Sequence, residues 1–363
     1  MRVAYDAAPC RRNPTGVGVY VRDLGLALQE AIPDEIAFVG VRPDGPLSGV
    51  RGVRTSFGGG LHQAWLQTRA IRDILAVGSS VAHFTNDAAP IRSPVPYVLT
   101  VQDLSTVLHP RWHPPARLAL VPLMLASVLR ACAIIVPSEA TRREVGRVVP
   151  ERVRRRMVVI PHAPSSEWRV PTAREVASVR ERLGVAGRPY IVSVGTLEPR
   201  KNHARLLAAF DRLVASEPDL ALVLVGPAGW GRQERRAAGR FRVKPSVIVT
   251  GYLDSSDLAA VVAGAEAFAY VSLYEGFGLP VIEAMGLGVP VVTSDRSSMP
   301  EVAGGAAVLV DPTDPAAIAR GIGLARRDRE ALASAGLIRN GSRSWDDVAA
   351  ATLDVYRWST ADR

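Results

Sequence analysis

Only two cysteines, Cys10 and Cys132, occur among 363 residues, which leaves no material for a disulfide framework and suits a reducing compartment. Nowhere do His, Cys and carboxylates gather at metal-ligand spacing, and Asp-x-Asp is absent, so a metal-bridged diphosphate is not expected. A run of about 20 uncharged apolar residues is also missing. The nearest approach, Leu118 to Val136, is broken by Pro122 and Arg130 and reads as a buried helix, Leu118–Leu129, followed by the strand Ala133–Val136. The chain opens directly on a strand, Arg2–Tyr5, so a signal peptide is not expected. A cytoplasmic location follows as the expectation. No repeat of solenoid period is seen.

What is abundant is positive charge, a net +9 with a pI near 10.1. A nucleic-acid partner is not expected from it. The arginines are scattered apart from Arg152-Val-Arg-Arg-Arg156 and the group Arg142, Arg143 and Arg147, without aromatic interleaving. Two readings remain: solvated helix faces, or attraction to an anionic acceptor or membrane surface, with peripheral attachment at the inner membrane face.

With 48% hydrophobic and 22% charged residues the chain is a globular one too long for a single core. Short apolar runs alternate with amphipathic stretches, the pattern of parallel βαβ units. Twelve strands are expected. Six, in the first half, are Arg2–Tyr5, Ile36–Val41, Val81–Phe84, Val95–Val101, Ala133–Val136 and Val158–Ile160. The second half supplies Tyr190–Val194, Ala221–Val225, Ser246–Thr250, Ala267–Val271, Val289–Thr293 and Ala307–Val310. The proline- and serine-rich stretch Pro161–Pro171 separates the two sets. The fold class is therefore α/β, two doubly wound Rossmann-like domains, 1–165 and 172–343, facing across a cleft that should take the ligand. Gly58-Gly-Gly60 is expected to mark a mobile loop, and Ser344 to cap a final amphipathic helix over 344–361.

The most informative stretch is Tyr274-Glu-Gly-Phe-Gly-Leu-Pro-Val-Ile-Glu-Ala-Met285. It sets Glu275 in a glycine loop and Glu283 on the following helix, with Pro280 in that helix's first turn. Backbone N–H groups around Phe277, Gly278 and Leu279 then face any anion at the helix start. Two carboxylates flanking such a point suit a ligand that is anionic and rich in hydroxyls, such as a nucleotide sugar. Arg200 and Lys201, in Gly195-Thr-Leu-Glu-Pro-Arg-Lys-Asn202, lie between a strand end and a helix start. They are either a solvated loop pair or the cations that neutralise a departing diphosphate. Gly16 and Gly18, in Asn13-Pro-Thr-Gly-Val-Gly-Val-Tyr20, would let the backbone approach a phosphate or sugar, although the third glycine of a dinucleotide fingerprint is missing. Asp103, at a strand end, is either a ligand-facing carboxylate or a cap. His83 and His162 also lie near strand ends, as core histidines or ligand contacts.

This ordered set resembles family 4 of the retaining glycosyltransferases (the group 1 glycosyltransferases), whose fold is GT-B. The resemblance extends through Val101-Gln-Asp-Leu-Ser105, Pro137-Ser-Glu-Ala-Thr-Arg-Arg143, Gly251-Tyr-Leu-Asp254 and Ser297-Ser-Met-Pro-Glu-Val-Ala-Gly304, nearly the whole chain. It implies an acceptor-binding first domain, rejoined by the final helix, and a nucleotide-sugar-binding second domain. Arg200 and Lys201 would hold the diphosphate, Glu283 the ribose, and Glu275 the donor-sugar hydroxyls. Backbone groups around Gly226 and Gly251-Tyr-Leu253 would meet the base, and Gly16 would sit against the diphosphate. Where the family carries His-Asp, this chain has Gln102-Asp103, and a glutamine amide cannot gain a proton. The motif around Arg200 resembles mannosyl- and rhamnosyltransferases of polysaccharide assembly. A GDP-mannose or deoxysugar donor, a glycan, lipid-linked or small-molecule acceptor, and no cofactor or metal are the resulting expectations. A catalytically silent sugar-nucleotide binder, an epimerase, a phosphorylase and an oxidoreductase are the rivals.

Overall fold

Parallel strands covered on both faces must be apolar throughout, and each of the twelve expected runs forms one. The computed structural model describes residues 1–50, 62–229 and 246–361; Gly58-Gly-Gly60 lies outside them. In order, the strands are β1 (Val3–Asp6), β2 (Ile36–Val39), β3 (Val81–Phe84), β4 (Tyr97–Thr100), β5 (Ala133–Val136) and β6 (Met157–Val159). They continue as β7 (Tyr190–Val194), β8 (Ala221–Val225), β9 (Val247–Gly251), β10 (Ala267–Tyr270), β11 (Val291–Ser294) and β12 (Val308–Val310). Differences from expectation are confined to a few terminal residues. The chain divides into two compact units, one of Met1–Leu108, Pro115–Ser165 and Arg343–Arg363, the other of His109–Pro114 and Ser166–Ser342.

The first unit holds a six-stranded sheet of order β2-β1-β3-β4-β5-β6, parallel at every pairing. Alternation across the pleat separates two cores. Ala4, Ala37, Ala82 and Leu99 face one cluster, while Val3, Tyr5, Phe38 and Val81 face the other. The second cluster also takes Val348, Leu353 and Tyr356 of the final helix, Trp345–Ala361. Ser344 opens that helix: its Oγ accepts from Asp347 N–H at 3.2 Å while the Asp347 carboxylate accepts from Ser344 N–H at 2.8 Å.

A buried polar chain ties this helix to the sheet. Tyr356 OH meets His83 Nδ1 at 2.7 Å, His83 Nε2 meets Thr100 Oγ1 at 2.8 Å, and Tyr20 OH meets the same hydroxyl at 2.8 Å. His83 is thus a satisfied core histidine, and burial pushes it down to about 3, so it is neutral. Tyr356→Phe would leave a buried imidazole nitrogen unpaired. It is expected to cost about 2 kcal/mol, or roughly 4–8 °C in a thermal melt. A midpoint unchanged within a degree would remove the polar chain from the stability of this unit.

One helix differs from expectation. In place of one helix over Leu118–Leu129, a short helix, Pro115–Leu118, ends there and a second, Val121–Arg130, follows, of which only Met124, Ser127 and Val128 are buried. Pro122 sits in the first turn of the second helix, where it starts a helix rather than continuing one. Leu120 and Leu129 are exposed. The run is apolar but only one face has a core to meet. Among the described residues no helix is long and apolar enough to cross a membrane.

The second unit's sheet has the order β12-β11-β10-β7-β8-β9, again parallel throughout. Chain order reverses between β7 and its neighbour β10. Ligands of doubly wound sheets bind beyond the strand C-termini at such a switch point. Arg200 and Lys201 follow β7, and Glu275 follows β10.

Candidate active site

The turn after β7 is tight. Pro199–Lys201 forms one 3₁₀ turn, and Asn202 takes the left-handed conformation (φ 63°) that precedes the helix His203–Val214. Asparagine tolerates that backbone, and here its Nδ2 donates to Val271 O at 3.0 Å and Pro312 O at 2.7 Å. A backbone bond from Leu273 N–H to Arg200 O, 2.7 Å, joins this turn to the loop after β10.

Those links bring the two loops' charged side chains together. Glu275, 6% exposed, places Oε2 2.5 Å from Arg200 Nη1 and Oε1 2.5 Å from Lys201 Nζ. Arg200 Nε lies 2.5 Å from Glu198 Oε1. Tyr270 closes the group: its hydroxyl accepts from Lys201 Nζ at 2.5 Å and donates to Glu275 Oε1 at 3.0 Å. Burial opposes the Glu275 charge, but Arg200 and Lys201 outweigh it and hold the carboxyl down at about 2. Lys201 goes the other way. Burial, then Arg200, lower its pKa in spite of Glu275 and Glu198. An arriving anion would favour the charged ammonium against that burial.

The glycine loop itself is held from behind. Ser297, at φ 57°, donates its hydroxyl to Glu275 O at 2.5 Å and accepts from Glu275 N–H at 3.2 Å. Ser298 Oγ lies 2.9 Å from both Glu275 O and Phe277 O. Gly278 (φ 101°) precedes the helix Leu279–Gly286, with Pro280 in its first turn and Glu283, 7% exposed, in its second. Gly226, after β8, closes against Gly195: a Cβ there would lie 2.2 Å from Gly195 O.

In the first unit, Gln102 and Asp103 follow β4. Asp103 is a cap: its Oδ1 accepts from Ser105 N–H at 2.8 Å and Ser105 Oγ at 2.6 Å, opening the helix Ser105–Leu108. Gln102 is half-buried and meets His162 Nε2 through Oε1 at 3.1 Å. Gly16 begins the helix Gly16–Ala31 with open space where a side chain would stand. At Gly18 a Cβ would come within 2.9 Å of Pro14 Cβ, so the backbone is closely packed there.

Glu198, Tyr270, Asn202, Ser297 and Ser298 were not singled out as site residues from the sequence. Tyr270 sits inside an apolar strand run, where its hydroxyl gives no local signal. Ser297 and Ser298 lie in a quoted motif, but nothing in their spacing ties them to a loop more than 20 residues earlier.

A family model described as glycosyl transferases group 1 matches residues 177–340. The O-antigen chain mannosyltransferase B of Escherichia coli is 33% identical over 266 residues, 72% of this chain and 70% of that protein. A GDP-mannose-dependent α-(1-6)-phosphatidylinositol monomannoside mannosyltransferase of Mycolicibacterium smegmatis is 33% identical over 199 residues, 52% of this chain and about half (49%) of that protein. Among solved structures, a sucrose-phosphate synthase of Thermosynechococcus elongatus matches the whole of both chains with a TM-score of 0.79 at 22% identity. The Anabaena protein HepE in complex with UDP-glucose covers 99% of this chain and 100% of its own, with a TM-score of 0.78 at 17% identity. These likenesses make the fold GT-B, and the chain belongs to the group 1 glycosyltransferases.

Proposed function

We propose that this protein is a metal-independent, retaining hexosyltransferase that takes mannose, or a related deoxyhexose, from a nucleoside diphosphate to a hydroxyl acceptor. The observation that carries the proposal is the part-buried cation pair Arg200 and Lys201 at the switch point of the second sheet. Burial disfavours the Lys201 charge there, and a diphosphate would favour it. Two fixed cations meet the need that a divalent metal meets elsewhere.

In this scheme Glu283 binds the ribose and Glu275 the hexose hydroxyls. Backbone groups from Phe277 to Leu279 receive sugar and phosphate, Gly226 borders the base, and Gly16 the diphosphate. The bond from C1 to the phosphate oxygen breaks, and its electron pair leaves on the diphosphate beside Arg200 and Lys201. The acceptor oxygen bonds to C1 on the same face, and its proton passes to the departing phosphate oxygen. Gln102, which cannot take up a proton, hydrogen-bonds a hydroxyl and is not asked to act as a base. GDP-mannose is the favoured donor because relatives of stated specificity use it or transfer mannose. The acceptor is a glycan, a lipid-linked saccharide or a small molecule. Attachment to an anionic membrane surface is part of the proposal for the lipid-linked case, and binding to anionic liposomes at low salt tests it.

The decisive experiment is thermal stabilisation by GDP, UDP, dTDP, ADP and NAD with EDTA present, followed by turnover of the matching sugar nucleotide. One diphosphate at 100 times its dissociation constant is expected to add about 2.7 kcal/mol, roughly 5–10 °C, and to lose this effect in Glu283→Ala. Stabilisation without turnover would favour a silent binding protein. A response to NAD alone, or to no diphosphate, would overturn the proposal.

A further inference from the structure

Gln102 is held by three neighbours within the first unit. Its backbone N–H donates to Asp87 Oδ1 at 2.7 Å, and its side-chain Nε2 donates to Thr85 O at 3.1 Å. Its Oε1 lies 3.1 Å from His162 Nε2. The order of the amide follows from chemistry. A backbone carbonyl only accepts, so the amide nitrogen must face Thr85 and the amide oxygen must face His162. That oxygen only accepts as well, so His162 must carry its proton on Nε2. The imidazole is 4% exposed, packed 4.4 Å from the Tyr20 ring, and burial with Arg343 nearby lowers it to about 3, which keeps it neutral. Trp345, whose Nε1 donates to Pro164 O at 2.7 Å, fixes the backbone just beyond.

Two of the amide's four hydrogen-bonding positions are thereby used. Among the described residues one N–H and one oxygen lone pair are left, at the C-terminal end of a parallel sheet where ligands of such sheets bind. We infer that His162 is a positioning residue: it locks the Gln102 amide so that its remaining N–H and lone pair read a hydroxyl of the bound sugar. This rests on the hexosyltransferase reading above and adds to it the residue that sets the orientation of Gln102.

The test is a double-mutant cycle on the full chain with GDP-mannose as donor, joined to ¹⁵N NMR of the imidazole. His162→Phe keeps a ring against Tyr20 but removes the donor, and should lower kcat/KM about ten-fold. His162→Gln restores an N–H at similar reach and should stay within about three-fold of wild type. In a Gln102→Ala background the His162→Phe loss should shrink below about two-fold. NMR should show the Nε2–H tautomer in the wild type and a changed tautomer balance in Gln102→Ala. An equal loss in both backgrounds, or an Nδ1–H tautomer in the wild type, would overturn the inference. If His162→Phe does not fold, His162→Gln and the tautomer carry the decision. A wild type that turns over no nucleoside diphosphate sugar would sink the functional reading, while the tautomer still decides the pairing.

Discussion

Replacing Glu275 with alanine is expected to lower kcat/KM with the sugar nucleotide by about 10³-fold and to destabilise the second unit by about 3–5 kcal/mol. The two losses have one cause. Glu275 is the carboxylate between Arg200 and Lys201, and its removal takes from two part-buried cations the carboxylate they share. Glu275→Gln keeps the volume and one acceptor but not the charge, so it should cost about 3 kcal/mol, while activity falls comparably. The charge also sets a pH dependence. The folded carboxyl titrates at about 2 against an ordinary 4.5, so the folded state favours its ionised form. The resulting stabilisation, about 3 kcal/mol, is full above the ordinary value and is lost as pH falls towards the folded one. Chemical denaturation of wild type and Glu275→Gln between pH 7 and 2.5 measures this directly. The gap between the two should narrow below pH 4.5, and a gap independent of pH would show that the carboxylate's charge contributes nothing.

Gly226→Ala should be the most damaging single methyl in the second unit, at more than about 4 kcal/mol. Gly226 has φ 147°, outside the range of side-chain-bearing residues, and its built Cβ lies 2.2 Å from Gly195 O and 2.6 Å from Gly195 C. The opposing atoms are backbone and cannot rotate away. The ends of β7 and β8 would have to part, and the turn that carries Arg200 and Lys201 begins there. Gly16→Ala is the control, since a Cβ there meets nothing within 4 Å and should change stability by less than about 1 kcal/mol. Urea unfolding of both variants decides the point. If Gly226→Ala unfolds at the wild-type concentration, the close approach of the two strand ends is not required.

The elements were legible because their causes are local. A strand buried on both faces needs a short run of apolar residues, and such runs stand out between amphipathic helices. The helix after the glycine loop was legible through Gly278 and Pro280. One reading went differently for a reason no local pattern holds. Val121–Arg130 is as apolar as a buried helix, yet only one of its faces has a core to meet. Asp103 offers the same carboxylate as ligand or cap, and only the position of Ser105 shows that its Oδ1 caps the helix Ser105–Leu108.

From sequence alone came the α/β class, the twelve strands, and the residue types near their ends, including Arg200, Lys201, Glu275 and Glu283. Tertiary structure decided which of those groups meet. Strand order sets β7 beside β10, so Arg200 and Glu275, 75 residues apart, share an ion-pair cluster with Lys201. It likewise brings His162 to Gln102 across 60 residues and Tyr356 to His83 across 273. The physical reason is the same in each case. Burial imposes a period on neighbouring residues that can be read along the chain, whereas a hydrogen bond between distant residues depends on the order in which the sheet stacks its strands and on which helix packs over it.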